Sequence, residues 1–264
     1  MQCSFAILAF LGLVWLAQCS AISSPEVRTT RYRRGLFSDP PDKYFHESSF
    51  DAHYDGRFGT KKLSYAEKRR DLRNLALSYL STMAEIGIET WIMHGSLMGW
   101  WWNKKIMPWD EDLDVQMTEE SINFLANYYN MTVYHFATDD VPGGKNYMLE
   151  INPYYAVRDR KSHESKMNVI DARWIDVVSG LYVDITAVWK KSDHKAGEDI
   201  LVSKDGHEYA EKYVFPLRET TFEGVPALIP FAYSEVLAAE YGEASLINND
   251  FKGYVEISLL LNDR

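Results

Sequence analysis

Four carboxylates offer the chemistry in this sequence. Asp110, Asp112 and Asp114 alternate with Glu111 and Leu113 inside HGSLMGWWWNKKIMPWDEDLDVQM, residues 94–117. Alternate side chains of a strand share one face. An extended 110–117 would therefore project the three aspartates together and turn Leu113, Val115 and Met117 the other way. Carboxylates so placed repel one another unless a hard cation lies among them, and Mg²⁺ or Mn²⁺ takes such oxygen ligands. Most short acidic runs are solvated loops. Here Ile106, Met107, Pro108 and Trp109 on one side and Val115 and Met117 on the other read as chain entering a core. An EF-hand is excluded by spacing: counting from Asp110, Val115 stands where the invariant glycine belongs and Ser121 where the glutamate belongs. The fourth carboxylate, Asp184, interrupts the apolar run Leu181-Tyr182-Val183-Asp184-Ile185. It is costly there unless paired or bound to metal. Arg173 is the competing partner.

The elements that must position these groups follow from periodicity and turn signals. A helix over 64–86 is marked by the Ser64/Glu67 capping box, by Leu72, Leu75, Tyr79, Leu80, Met83 and Ile86 at helical spacing, and by Gly87 as its stop. A short strand over 88–93 leads to a Gly95-Ser96 turn, a helical turn over 97–104 and the acidic strand. Thr118 then caps a helix with Glu119 and Glu120 in its first turn. Strands are expected at 132–136 and 147–151, separated by a Val141-Pro142-Gly143-Gly144 loop. The charged run 158–166 reads as a solvated loop from which Arg158 and Arg160 could reach a phosphate. Residues 168–188 read as a hairpin about Ser179-Gly180, with Ile175 opposite Asp184. Two short strands flank Glu223-Gly224, and a helix over 232–241 ends at Gly242. His194 and His207 lack cysteine partners and tight spacing, and read as surface histidines.

The chain has 264 residues, enough for one large domain or two small ones. Its 28 basic against 38 acidic residues give a net charge of −10. Nucleic-acid binders neutralise phosphates with a basic face, so no nucleic-acid partner is expected. Phe5 to Ala17 is apolar and too short to span a bilayer comfortably, and small residues follow it. Residues 1–21 therefore read as a secretory signal peptide, with an uncleaved anchor as the alternative. Both cysteines, Cys3 and Cys19, lie in it, so no disulfide is expected in the remainder. Residues 22–60 read as a polar linker or loosely docked arm, with Arg33-Arg34 as a candidate dibasic processing site. Residues 61–264 read as the domain. Asn130-Met131-Thr132 is an N-glycosylation sequon.

A Gly-Ser turn, a D-x-D strand and a third aspartate on a later strand resemble the nucleotidyltransferase constellation hG[GS]…DhDh…hDh. Here these would be Gly95-Ser96, Asp112-Leu113-Asp114-Val115 and Val183-Asp184-Ile185. MPWDEDLDV, with FPLRETTFEGVPALIP and YGEASL downstream, further resembles the LicD-type phosphotransferase family, which includes fukutin-related relatives. HGSLMGWWWNKKIMPWD with IDARWIDVVSGLYVDIT is similar to its fungal branch, linked to mannosylphosphate transfer. The resemblance implies an α+β fold, a nucleotidyltransferase-like mixed sheet flanked by helices. It implies Mg²⁺ or Mn²⁺ held by Asp112, Asp114 and Asp184, with Asp110 or Asp184 assisting deprotonation. Gly95, Ser96, Trp102, Lys104, Lys105 and Arg173 would contact substrate. The partners implied are a nucleotide-sugar donor, such as GDP-mannose, and a glycan acceptor, in the Golgi lumen or secreted, beside Golgi membrane enzymes. A non-catalytic glycan- or nucleotide-binding regulator and a metal-dependent glycosyltransferase are the alternatives. The family's usual basic residue is replaced here by Trp101-Trp102-Asn103.

Overall fold

The computed structural model describes residues 40–191 and 199–248. The expected signal peptide, Arg33-Arg34, His194 and the C-terminal tail lie outside them. Helix α1, Tyr65–Glu85, begins at a complete capping box. The Glu67 amide donates to the Ser64 hydroxyl, and the Ser64 amide donates to the Glu67 carboxylate. Leu72, Leu75, Tyr79 and Met83, which share one helical face, are buried. Strand β1, Thr90–Ile92, leads directly into helix α2, His94–Asn103. Strand β2, Leu113–Thr118, is followed by helix α3, Glu119–Tyr128, whose Thr118 cap accepts from the Ser121 amide.

Strands β3, Thr132–Thr138, and β4, Val141–Ile151, form an antiparallel hairpin. The expected Val141–Gly144 loop is instead the start of β4. Gly144 makes this possible: at φ 71°, a Cβ there would lie 2.2 Å from His135 Nε2. A short helix α4, His163–Met167, replaces part of the expected charged loop. Arg158 donates to Glu119 at 3.0 Å and Arg160 to Glu208 at 2.8 Å, so both are engaged within the domain. Then come β5, Ala172–Asp176, β6, Tyr182–Lys190, β7, Ile200–Val202, and β8, Glu208–Ala210. Helix α5, Glu211–Val214, precedes a separate hairpin of β9, Arg218–Phe222, and β10, Val225–Ile229. Helix α6, Tyr233–Tyr241, ends at Gly242 before a 3-10 turn, Glu243–Leu246.

The main sheet runs β1-β2-β6-β5-β4-β3, with β7 on β6 and β8 on β7. Its β2–β6 pair is parallel; the other described pairs are antiparallel. This is the expected α+β mixed sheet with flanking helices. The β5–β6 register differs from expectation: Arg173 faces Asp184 and Ile175 faces Tyr182. The turn is longer than two residues, and the slip is even-numbered. Each side chain therefore keeps its face.

One face of the sheet packs on α1. Trp174 is buried there, stacked on Tyr147 at 6.0 Å, edge-on to Tyr79 at 6.1 Å, and donating to Ser78 Oγ at 3.0 Å. The opposite face is covered by residues 40–60, the described part of the expected loose arm. Phe45 is buried and Phe58 packs against Met148, Ile175 and Tyr182, while Tyr54 joins the core on the α1 side. Apolar residues spaced among polar ones let this segment dock although its composition reads as linker. Among the described residues no helix is long and apolar enough to cross a membrane.

Candidate functional site

Asp114 and Asp184 are register partners on the parallel strands β2 and β6, so their side chains leave the same face of adjacent strands about 4.8 Å apart. Asp184 is in turn opposite Arg173 on β5, and Arg173 is opposite Glu150 on β4. A rank of charge crosses four strands, two carboxylates, a guanidinium and a carboxylate in sequence. Arg173 is 2% exposed and donates from Nε to Asp184 at 2.7 Å and from a terminal nitrogen to Glu47 at 2.9 Å. Its guanidinium lies 3.6 Å from the Tyr182 ring centroid. Arg173 therefore orients Asp184 from inside the protein, which is the pairing that competed with metal binding as the reason for a carboxylate in this strand.

Asp112 and Asp110 precede β2 in a loop, so the fully extended 110–117 expected from alternation holds only from Leu113 onward. Two clamps hold that loop. Arg69 on α1 donates to the Met107 and Ile106 carbonyls at 2.7 and 2.8 Å. Glu223, at the β9–β10 turn, accepts from the Ile106 amide at 2.8 Å and donates its own amide to the Lys104 carbonyl at 2.9 Å. The returning chain crosses α2 at Gly99, where a Cβ would sit 2.4 Å from the Lys105 carbonyl oxygen. Asp110 is thereby brought against Gly95, whose Cβ, if present, would lie 3.1 Å from Asp110 Oδ2.

Gly95-Ser96 is the first turn of α2 and not a separate turn before it. Its N-cap, Met93, offers no side-chain acceptor, so first-turn amides are left for other partners, as at anion-binding helix starts. Ser96 Oγ accepts from the Asp114 amide at 3.0 Å and Met93 donates to the Asp114 carbonyl at 3.1 Å, tying the helix start to β2. Lys104 caps the other end of α2 and the Lys105 carbonyl folds back against Gly99 in mid-helix; among the described residues neither lysine forms an ion pair with the aspartates. Trp100 donates to Thr220 and Trp101 to the Leu246 carbonyl, and both pack on Tyr233. Trp102 instead lines a cavity of about 340 Å³ with Gly95, Met98, Trp109, Asp110 and Tyr241. That volume suits a small ligand.

Burial pushes the Asp110 carboxyl up to about 7, helped by repulsion from Asp112 and a hydrogen bond to it. Asp114 is raised well above the ordinary carboxylate range, by burial first and then by Asp112, Asp184 and Asp110, against a lowering pull from His94. Burial also raises Asp184, although Arg173 draws it down. Neighbouring carboxylates that retain protons can exchange them for a cation. Among the described residues, no three of these aspartates bring an oxygen each within 4.8 Å of one another. They do not form a closed protein cage. Mg²⁺ commonly takes one or two carboxylates and completes its shell with water and substrate phosphates, and this all-oxygen, open set fits that use.

Residues 87–232, more than half the chain, match the model of the LicD/FKTN/FKRP nucleotidyltransferase domain. The chain belongs to this family. Within the LicD-family match fall the Gly95-Ser96 helix start, all four aspartates and Arg173. Two Saccharomyces cerevisiae proteins are similar to it. Mannosyltransferase regulator 4 is 37% identical over 102 residues, 39% of this chain and 8% of the yeast protein. Mannosyltransferase regulator 14 is 30% identical over 162 residues, 57% of this chain and 17% of the yeast protein. This LicD-family chain thus spans less than a fifth of the length of either relative. Sequence reading missed Met98 and Tyr241 in the cavity wall, Glu47 beside Arg173, and a cluster of His94, Asp205, His207 and Glu240. Glu240 and Tyr241 stand just before the YGEASL run that marked the family, or at its start. The others had no local signal.

Proposed function

We propose that this chain is a metal-dependent phosphotransferase that moves a sugar phosphate, such as mannose 1-phosphate from GDP-mannose, onto a glycan hydroxyl. The reading is supported above all by one juxtaposition. Asp114 and Asp184 are side by side on parallel strands, and the start of α2 reaches Asp110 at Gly95. Asp112, Asp114 and Asp184 would hold Mg²⁺ or Mn²⁺. The ion, when bound, neutralises diphosphate oxygens and aligns the donor. The first-turn amides of α2 receive phosphate oxygens, and Trp102 with Tyr241 walls the cavity for a sugar or base. The acceptor hydroxyl attacks the phosphorus that bears the sugar. A P–O bond forms, the P–O bond to the nucleotide breaks, and GMP leaves. Asp110 takes the hydroxyl proton; Asp184, held by Arg173, is the poorer base.

A second reading is favoured by the relatives, both named regulators: a non-catalytic partner that binds nucleotide or glycan and promotes another transferase. The secretory pathway is the proposed setting under either, supported by the apolar Phe5 to Ala17 run.

Purified protein with Mn²⁺, GDP-mannose and a mannose oligosaccharide tests both. GMP release with phosphodiester formation, abolished in Asp112→Asn and Asp114→Asn, is the expected result. Full transfer by both variants would sink the assignment. GDP as by-product would mark a glycosyltransferase, and Mn²⁺-dependent donor binding without turnover a regulator.

A further inference from the structure

Four side chains outside the aspartate group meet beside the start of α2. His94 comes from that helix, Asp205 and His207 from the turn between β7 and β8, and Glu240 from α6. His94 Nδ1 is 2.8 Å from Glu240 Oε1. Glu240 as acceptor places a ring proton on Nδ1; although burial disfavours the cation, Asp205 and Glu240 hold the ring protonated up to about 10, so a metal at Nε2 would displace a proton from it. Nε2 faces Asp205 Oδ2 at 3.6 Å, and His207 Nδ1 faces Asp205 Oδ1 at 3.1 Å. Neither nitrogen makes a hydrogen bond of acceptable direction, and both atoms are buried. The two rings lie 4.5 Å apart at 41°. One ligand atom from each of His94, Asp205 and His207 falls within 4.8 Å of the others.

Three such atoms so close together could ligate one transition-metal ion. Zinc bonds to nitrogen and oxygen of about 2.0–2.1 Å imply ligand-to-ligand edges of roughly 3.4 Å in a tetrahedron; the two histidine-to-carboxylate separations, 3.6 Å to one Asp205 oxygen and 3.1 Å to the other, lie on either side of that value. A metal-bound histidine ordinarily donates its other ring N–H to a carboxylate, which fixes the tautomer; Glu240 has that place. Two imidazoles select zinc over the hard cations that an all-aspartate set prefers. The His207 side chain is 37% exposed, which gives an entry path and room for a water as fourth ligand. His94 itself is held at φ 51°, a left-handed backbone uncommon for a residue with a Cβ.

We infer that His94, Asp205 and His207 form a second metal site, for Zn²⁺ and distinct from the aspartate group, with Glu240 as the carboxylate that orients His94. Such an ion would pin the β7–β8 turn and α6 to the residue before Gly95.

The test uses the full chain, stripped with EDTA and exchanged into chelator-free buffer. Mass spectrometry should find one zinc per chain after Zn²⁺ is added and excess removed, and Zn²⁺ should raise the melting temperature. Cobalt(II) should give the intense visible absorption of a tetrahedral site, a readout that needs no variant. His207→Ala and Asp205→Asn should lose the zinc and the cobalt band, while electron paramagnetic resonance still detects Mn²⁺ bound at the aspartates. Glu240→Gln should weaken zinc on the order of 10–100-fold. Failure of the wild-type chain to retain zinc, or an unchanged cobalt band in His207→Ala and Asp205→Asn, would overturn the inference.

Discussion

At the scale of single residues, Arg173 decides how the candidate site is held. It lies between Asp184 and Glu47 with 2% exposure, so removing it leaves Asp184 in the interior without its guanidinium. Arg173→Met should lower unfolding free energy by about 3–5 kcal/mol in urea titration, the range for breaking one side of a buried pair. Arg173→Lys should lose part of that, because the charge survives and the planar fork does not. A stability unchanged in Arg173→Met would mean Asp184 is supported by something else. Alternation anticipated the strand that carries Asp114, and one charge in an apolar strand marked Asp184, whereas Asp110 and Asp112 lie in a loop that alternation read as strand. The role of Arg173 was not settled, because a hairpin register depends on turn length, and sequence spacing placed Ile175 where Arg173 stands.

Among elements, the segment 40–60 has the least legible role. Tyr44 donates to Glu150 at 2.8 Å, and Arg57 donates to Glu150 and to Asp55. Those contacts end the charged rank on β4, and a polar composition conceals them because each polar group has a partner within the fold. The arm meets the β5–β6 turn at Gly180, which has φ 82° and where a Cβ would come within 2.4 Å of the Gly59 amide nitrogen. Asp55 also donates its amide to the Gly180 carbonyl at 2.7 Å. Gly180→Ala should therefore cost about 1–3 kcal/mol and free the arm. Limited proteolysis should then cut within 40–60 while the sheet core survives; an uncut arm would show that it docks without this contact. Capping residues, by contrast, announced α1 and α3, since Ser64, Glu67 and Thr118 act on amides within a few residues.

For the whole molecule, the raised carboxylates link stability to pH and to cations. Asp110 titrates at about 7 in the folded chain against 3.8 for an ordinary aspartate. The folded state therefore binds more protons between those values, and stability falls as pH rises through them. Without metal, the melting temperature should drop between pH 5.5 and 7.5, and Mn²⁺ should restore more of it at the higher value. A flat or rising metal-free profile, with no Mn²⁺ effect, would contradict a crowded anionic site. The α+β class and most strands could be read from periodicity, whereas the order of strands in the sheet could not, since pairing is set by partners far along the chain. That order has a temporal consequence. The parallel β2–β6 pair joins Asp114 to Asp184 only after everything from α3 to β5 has been made. During synthesis from the N-terminus, Asp114 stands without its register partner while the next 70 residues, from 114 to 184, are added. The pair of carboxylates is completed only when β6 emerges and the chain between the two strands closes.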